Sequence, residues 1–227
     1  MRLRFAIALS LLAGLLAPVM AQQSSNASGE PLPTVTFTLD FPKSNPEPYM
    51  ITVDSAGHAR YECAGTVADD SDPQTYKAEF EISAENRNRI FDWVKQAKYF
   101  SGKVDSGNKV AFTGEKQLSY QDSQRSNTAR YNYSNLEPVQ QLTELFQKIA
   151  ATQDYGHRLA YYHRYQKLAL DEQLKQMEAQ ALNHELSEIH SVARILQAIV
   201  DDSSVLNVVR GRAKELLDMK YDGAPWR

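Results

Sequence analysis

Tyr49-Met50-Ile51-Thr52-Val53-Asp54 and His58-Ala59-Arg60-Tyr61-Glu62-Cys63 flank the triplet Ser55-Ala56-Gly57. Gly57 offers the positive φ that a tight turn needs, so the stretch reads as a β-hairpin. Upstream, Val35, Phe37, Leu39 and Phe41 alternate with Thr34, Thr36, Thr38 and Asp40. That period of two puts four apolar side chains on one face of a strand. Between this strand and the hairpin, Lys43 to Pro48 (KSNPEP) carries two prolines that cannot donate to a ladder.

Downstream, Asp69 to Pro73 (DDSDP) reads as a loop, and Thr75 to Ile82 alternates again through Tyr76, Ala78, Phe80 and Ile82. Ser83 then suits a helix cap, with Glu85 in the first turn and Ile90, Phe91, Val94 and Ala97 at helical spacing up to Lys98. Lys109 to Gln121 and Thr128 to Tyr133 read as two further strands. A second helix follows Asn135, with Pro138 in its first turn and Leu142, Leu145, Phe146 and Ile149 on one face. Residues 34–153 therefore read as an α+β domain, an antiparallel sheet of about five strands with two helices.

After Asp154 no strand pattern survives. Leu159, Tyr162, Tyr165 and Leu168 open a series of apolar stripes that runs through Leu174, Met177, Leu186, Ile189, Leu196 and Ile199 to Val209, Ala213 and Leu216. Asp202 or Ser203 suits a cap between the last two helices. Residues 154–220 thus predict a C-terminal helical hairpin or small bundle, and Gly223-Ala224-Pro225 ends the order in a tail, 221–227.

The run Pro48 to Asp54 followed by Gly57, Tyr61 and Gly65, and then a helix ending Ala97-Lys98-Tyr99-Phe100, resembles an uncharacterised domain family of exported bacterial proteins over residues 34–153. These are hairpin and packing signatures, so the resemblance implies a fold and no chemistry. Many members carry a cysteine in the loop before the proline; here that loop is Lys43-Ser44-Asn45-Pro46-Glu47. Asp201 to Leu217 also looks like one helix of a HEAT-type repeat, without a second copy at a fixed spacing.

The N-terminus predicts export. Met1 to Arg4 supply two positive charges, and Phe5 to Leu16 supply twelve residues without a charge. This is a signal-peptide core, shorter than the ~18 residues that cross a bilayer. Pro18, with Val19 and Ala21 at the positions a signal peptidase reads, predicts residues 1–21 as the signal peptide, cut after Ala21. Residues 22–33 (QQSSNASGEPLP) have the composition of a disordered linker. The destination is periplasmic or extracellular, and no later window is long and apolar enough for a membrane span.

Losing Arg2 and Arg4 takes the net charge from −3 to −5, which disfavours nucleic acid or an anionic membrane as partner. Cys63 is the only cysteine, so no intramolecular disulfide can form. It reads as a buried small hydrophobe, with a reactive or intermolecular thiol as the alternative.

Three clusters could carry chemistry. His184 and His190 are six apart, not four, and on a helix would point about 240° apart, away from any shared metal. His184 and Glu188 are four apart and read as a solvated helix pair. Asp69, Asp70 and Asp72 lack the central glycine and distal glutamate of a calcium loop. Tyr161, Tyr162 and Arg164 form the candidate ligand-binding set, with Tyr162 and Tyr165 on the apolar side of their helix. No metal, cofactor or catalytic residue is assigned, because no nucleophile elbow, phosphate loop or dinucleotide glycine pattern is present.

The expected function is a non-enzymatic protein-interaction domain with an unknown protein partner. The alternative is a small-ligand or glycan binder using a sheet/helix cleft walled by Tyr161, Tyr162 and Arg164. A secreted hydrolase built on His157, His163 or a perturbed carboxylate is third.

Overall fold

The computed structural model describes residues 31–41, 48–63 and 75–219. The expected signal peptide, most of the expected 22–33 linker, the expected Asp69–Pro73 loop and the expected tail lie outside these.

The hairpin forms as expected, β2 (Tyr49–Asp54) against β3 (His58–Cys63). Gly57 sits at φ +107°, and Asp54 contributes more than the composition suggested. Its Oδ1 accepts hydrogen bonds from the backbone N–H of Ala56, Gly57 and His58 at 2.9, 2.9 and 3.0 Å. A buried carboxylate that satisfies three turn amides fixes where the chain reverses.

β1 (Thr34–Asp40), β4 (Tyr76–Glu81), β5 (Glu115–Gln121) and β6 (Ser126–Tyr131) complete one antiparallel sheet in the order β4-β3-β2-β1-β5-β6. The sheet thus has six strands, one for each stretch read as a strand from the sequence. The strand expected from Lys109 starts only at Glu115, because Gly107 and Gly114 both take positive φ and 101–114 runs as irregular chain. Gly114 passes so close to Phe41 and Leu39 that a Cβ there would lie 2.7 Å from Phe41 Cβ.

Alternation sends Val35, Phe37, Ile51, Val53, Tyr61 and Leu118 to one face, where α1 (Ala84–Gln96) and α2 (Glu137–Tyr165) cover them. Ser83 caps α1 as expected, accepting from Asn86 N–H at 3.3 Å. Phe146 of α2 stacks on Phe37 of β1 with centroids 5.4 Å apart and rings inclined by 4°.

The largest departure from expectation is α2 itself. The helix ending near 153 and the stripe beginning at Leu159 are one uninterrupted element. Its first part, through Ala150, closes the sheet core, and its second, from Tyr155, belongs to a second core. That second core is built with α3 (Leu170–Leu182), α4 (Ala193–Asp201) and α5 (Asn207–Asp218) around Leu174, Met177, Leu196, Ile199 and Leu216. The fold is α+β with a C-terminal helical part.

The expected domain boundary near 153 falls inside α2, where polar residues find partners in the helical part. Thr152 Oγ1 donates to Ser187 O at 2.7 Å, and Gln153 Nε2 donates to Ser191 Oγ at 2.6 Å. Gly156 admits Val192, whose Cγ1 would lie 2.5 Å from any Cβ placed there.

Two local expectations fail. Residues 184–190 are not a helix: His184 and Glu188 both take left-handed backbone, and the chain turns between α3 and a short 3-10 turn at Ile189–Val192. Neither Asp202 nor Ser203 caps α5, whose N-cap is Leu206 without a side-chain bond; Asp202 instead ends α4 and accepts from Ser204 N–H at 2.9 Å.

Candidate functional site

Among the described residues helices cover only one face of the sheet, and the other carries complete cross-strand rows. The central row reads Glu79, Arg60, Thr52, Thr36, Ser119, Thr128 from β4 to β6. Hydroxyls pair along it, Thr36 to Thr52 at 3.3 Å and Ser119 to Thr128 at 3.0 Å. The next row is Lys77, Glu62, Met50, Thr38, Gln117, Arg130. There Glu62 meets Arg60 at 2.7 Å and Lys77 at 3.4 Å. Every strand contributes polar or long flexible side chains here, as expected for an antiparallel sheet with one wetted face.

Part of this face is concave. A groove of about 950 Å³ lies over it, with Thr36, Thr52 and Met50 in its floor and Arg60, Glu79 and Glu81 toward the β4 side. Pro31 and Leu32 form part of its rim. They are held there by Thr34 Oγ1 donating to Leu32 O at 2.8 Å and Ser55 N–H donating to Pro33 O at 2.8 Å.

At one end of the groove His58 stands between two carboxylates, its Nδ1 2.8 Å from Asp54 Oδ2 and its Nε2 3.6 Å from Glu81 Oε1. The hydrogen bond and charge of Asp54, followed by Glu81, raise the imidazole's pKa above its ordinary value. Burial alone would raise the Asp54 pKa, but hydrogen bonds from the His58 side chain and backbone outweigh it and hold the carboxyl below its ordinary value.

The aromatic set lies elsewhere, on the second half of α2. Tyr161 packs edge-on to Tyr162 at 5.5 Å and tilts against Tyr165 at 5.1 Å, and the Arg164 guanidinium lies over Tyr165 at 5.1 Å. Tyr162 leans on the helical core. Tyr165, expected on the apolar side, is 61% exposed. None of Tyr161, Tyr162 and Arg164 lines the groove.

His163 is engaged by Asp202 at 2.9 Å, and the same carboxylate oxygen takes Lys167 at 2.6 Å. His157 stacks on Tyr76 at 4.0 Å, and burial and Arg158 push its pKa down. Burial also raises the Asp154 carboxyl despite Arg158 at 3.0 Å. Of these groups His157 sets α2 against the edge strand β4, while His163 and Lys167 tie the end of α2 to the end of α4. Cys63 is buried as read.

Glu188 does not pair with His184 as a helix neighbour; it reaches the start of α1 instead. Among the described residues no three His, Cys, Asp or Glu side chains converge to hold a metal. The Asp69, Asp70 and Asp72 loop lies outside the described residues. No described helix is long and apolar enough to cross a membrane.

The groove residues were legible only indirectly. The alternation that named the buried positions of β1 to β6 also names the outward ones, but nothing local to Thr36, Thr52 or Glu79 marks that face as uncovered. No protein-family model and no curated protein matches the chain.

Proposed function

We propose that this is an exported, non-enzymatic protein-interaction module that works through the helix-free face of its sheet. The observation that carries the reading is the concave polar groove across β4, β3, β2 and β1. Thr36 and Thr52, and Arg60 and Glu62, already hold one another, as a preformed contact surface requires. The charged n-region, the short apolar run and the Val19-x-Ala21 site support export, as does the hairpin signature that resembles an exported family. The destination is the periplasm or the cell exterior.

A photo-crosslinking amino acid at Thr52, in the full chain expressed with its leader, tests the reading. A discrete adduct to another protein is expected at Thr52, none at Lys95 on the outer side of α1, and an N-terminus at Gln22. Turnover of a substrate by the mature chain, or the absence of any adduct specific to Thr52, overturns it.

The volume of the groove favours one further reading, a small polar ligand in the same place. A ligand that raises the melting temperature of the wild-type chain but not of a Thr36→Val/Thr52→Val variant would support it.

A further inference from the structure

We infer that the occupant of this groove is a basic, extended segment of a partner protein. The inference rests on the proposed interaction role and names the chemistry of the partner.

The groove's charge is lopsided. Among the described residues that line it, Asp54, Glu62, Glu79 and Glu81 stand against Arg60, with His58 at the end. Two of the four carboxylates are spent internally: Asp54 holds the hairpin turn, and Glu62 is clasped by Arg60 and Lys77. The other two are not. Among the described residues Glu79 pairs with no cation although Arg60 stands opposite it in register, because the guanidinium turns to Glu62. Among the described residues Glu81 has one ionic contact, the long one to His58, and its side chain is 71% exposed. The unneutralised field of the groove therefore comes from these two side chains on the edge strand.

Glu79 and Glu81 are two apart on β4, so they share a face and rise about 7 Å along the strand. Two carboxylates at that spacing can both reach one ammonium or guanidinium group. From β4 to β1 is three strand spacings, about 14 Å, the reach of about four extended residues. Across that distance the floor changes from carboxylate to hydroxyl, with Thr52 and Thr36 neutral and Met50 beside them. The backbone of the floor strands is consumed by pairing on both sides. An occupant must therefore be recognised through side chains, with a Lys or Arg at the β4 end and polar or small groups over the threonines.

The test is an NMR titration of the ¹⁵N-labelled mature chain with tetralysine, and with tetraglutamate as control. Tetralysine should shift amides of Thr36, Thr52, Arg60, Glu79 and Glu81, with binding that weakens as salt rises. Glu79→Gln/Glu81→Gln, neither residue being part of the core, should weaken it about fivefold. Shifts scattered over the surface, equal shifts with tetraglutamate, or unchanged affinity in the double variant would overturn the inference. So would groove resonances that move when residues 22–30 are deleted without peptide, since the chain's own segment would then be the occupant. An adduct at Thr52 that persists unchanged in the double variant rejects the basic occupant and leaves the interaction role standing; loss of the wild-type adduct removes the role itself.

Discussion

Glu188 closes the N-terminus of α1 from 105 residues away, its carboxylate accepting from Ser83 N–H at 3.1 and 3.2 Å and from Ser83 Oγ at 2.7 Å. Asn86 Nδ2 donates to the same group at 2.7 Å and to Ser187 Oγ at 3.1 Å. An acid at a helix N-terminus is favoured by orphan amides and by the helix dipole. Here the acid belongs to the helical part and the helix to the sheet layer, so the contact joins the two.

Glu188→Ala should therefore cost about 1 to 3 kcal/mol, because it leaves the buried Asn86 carboxamide without its charged acceptor and the hydroxyl and amide of Ser83 without theirs. Glu188→Gln retains one acceptor oxygen and should lose less. Urea denaturation followed by tryptophan fluorescence and by far-ultraviolet dichroism measures both. Equal stability of wild type and Ala variant would contradict the bonding described.

At Gly156 the tight approach of Val192 sets a clear expectation. Gly156→Ala gains about 1 kcal/mol of helix propensity, but its Cβ would meet Val192 Cγ1 at 2.5 Å and Cβ at 3.3 Å. A β-branched side chain cannot swing away, and overpacking of this kind costs about 1 to 3 kcal/mol. The net effect should be destabilising, and Val192→Ala should restore stability in the Gly156→Ala background more than it does alone. A double-mutant cycle with no coupling would be the contrary result.

Phe146 stacks on Phe37 at the centre of the sheet core, both side chains fully buried. Phe146→Ala should lower stability by about 3 to 5 kcal/mol, and Phe146→Leu by less. Thermal melts of the purified mature chain suffice to rank the two.

The His58–Asp54 pair predicts opposite pH signs. Because the folded His58 pKa is raised, its contribution is fully present below the unfolded value of 6.5 and lost as pH rises through the folded one. Asp54, held lower when folded, contributes above 3.8 and loses that contribution as pH falls through its folded value. In Asp54→Asn the His58 titration, followed by the ring-proton shifts, should move down toward the ordinary value; an unmoved midpoint would show that Asp54 does not set it.

Much of this architecture is readable from local pattern, and the failures share a cause. The outward and inward alternation of β1, the Gly57 turn and the Ser83 cap depend on residues within a few positions of one another. The continuity of α2 past 153 was not legible, because the partners of Thr152, Gln153 and Gly156, namely Ser187, Ser191 and Val192, are roughly 35 residues away. His184 to His190 scans as a helix because the left-handed turns at His184 and Glu188 have no glycine to announce them. The groove was invisible for the same reason: uncovered is a property of what does not pack there. The Tyr161, Tyr162 and Arg164 set was found by composition, and composition carries no information about distance from a cavity.

At about 1.5 Å per residue α2 is a rod of about 43 Å, and both cores are mounted on it. One residue inserted between Ala150 and Tyr155 would rotate everything beyond by about 100° and advance it by about 1.5 Å. Leu159 and its pocket, and Gly156 with Val192, would turn together, and Glu188 would be carried off the end of α1. The angular phase of one helix is thus held fixed by contacts at both ends, and the register of the helical part against the sheet is counted in whole residues along it.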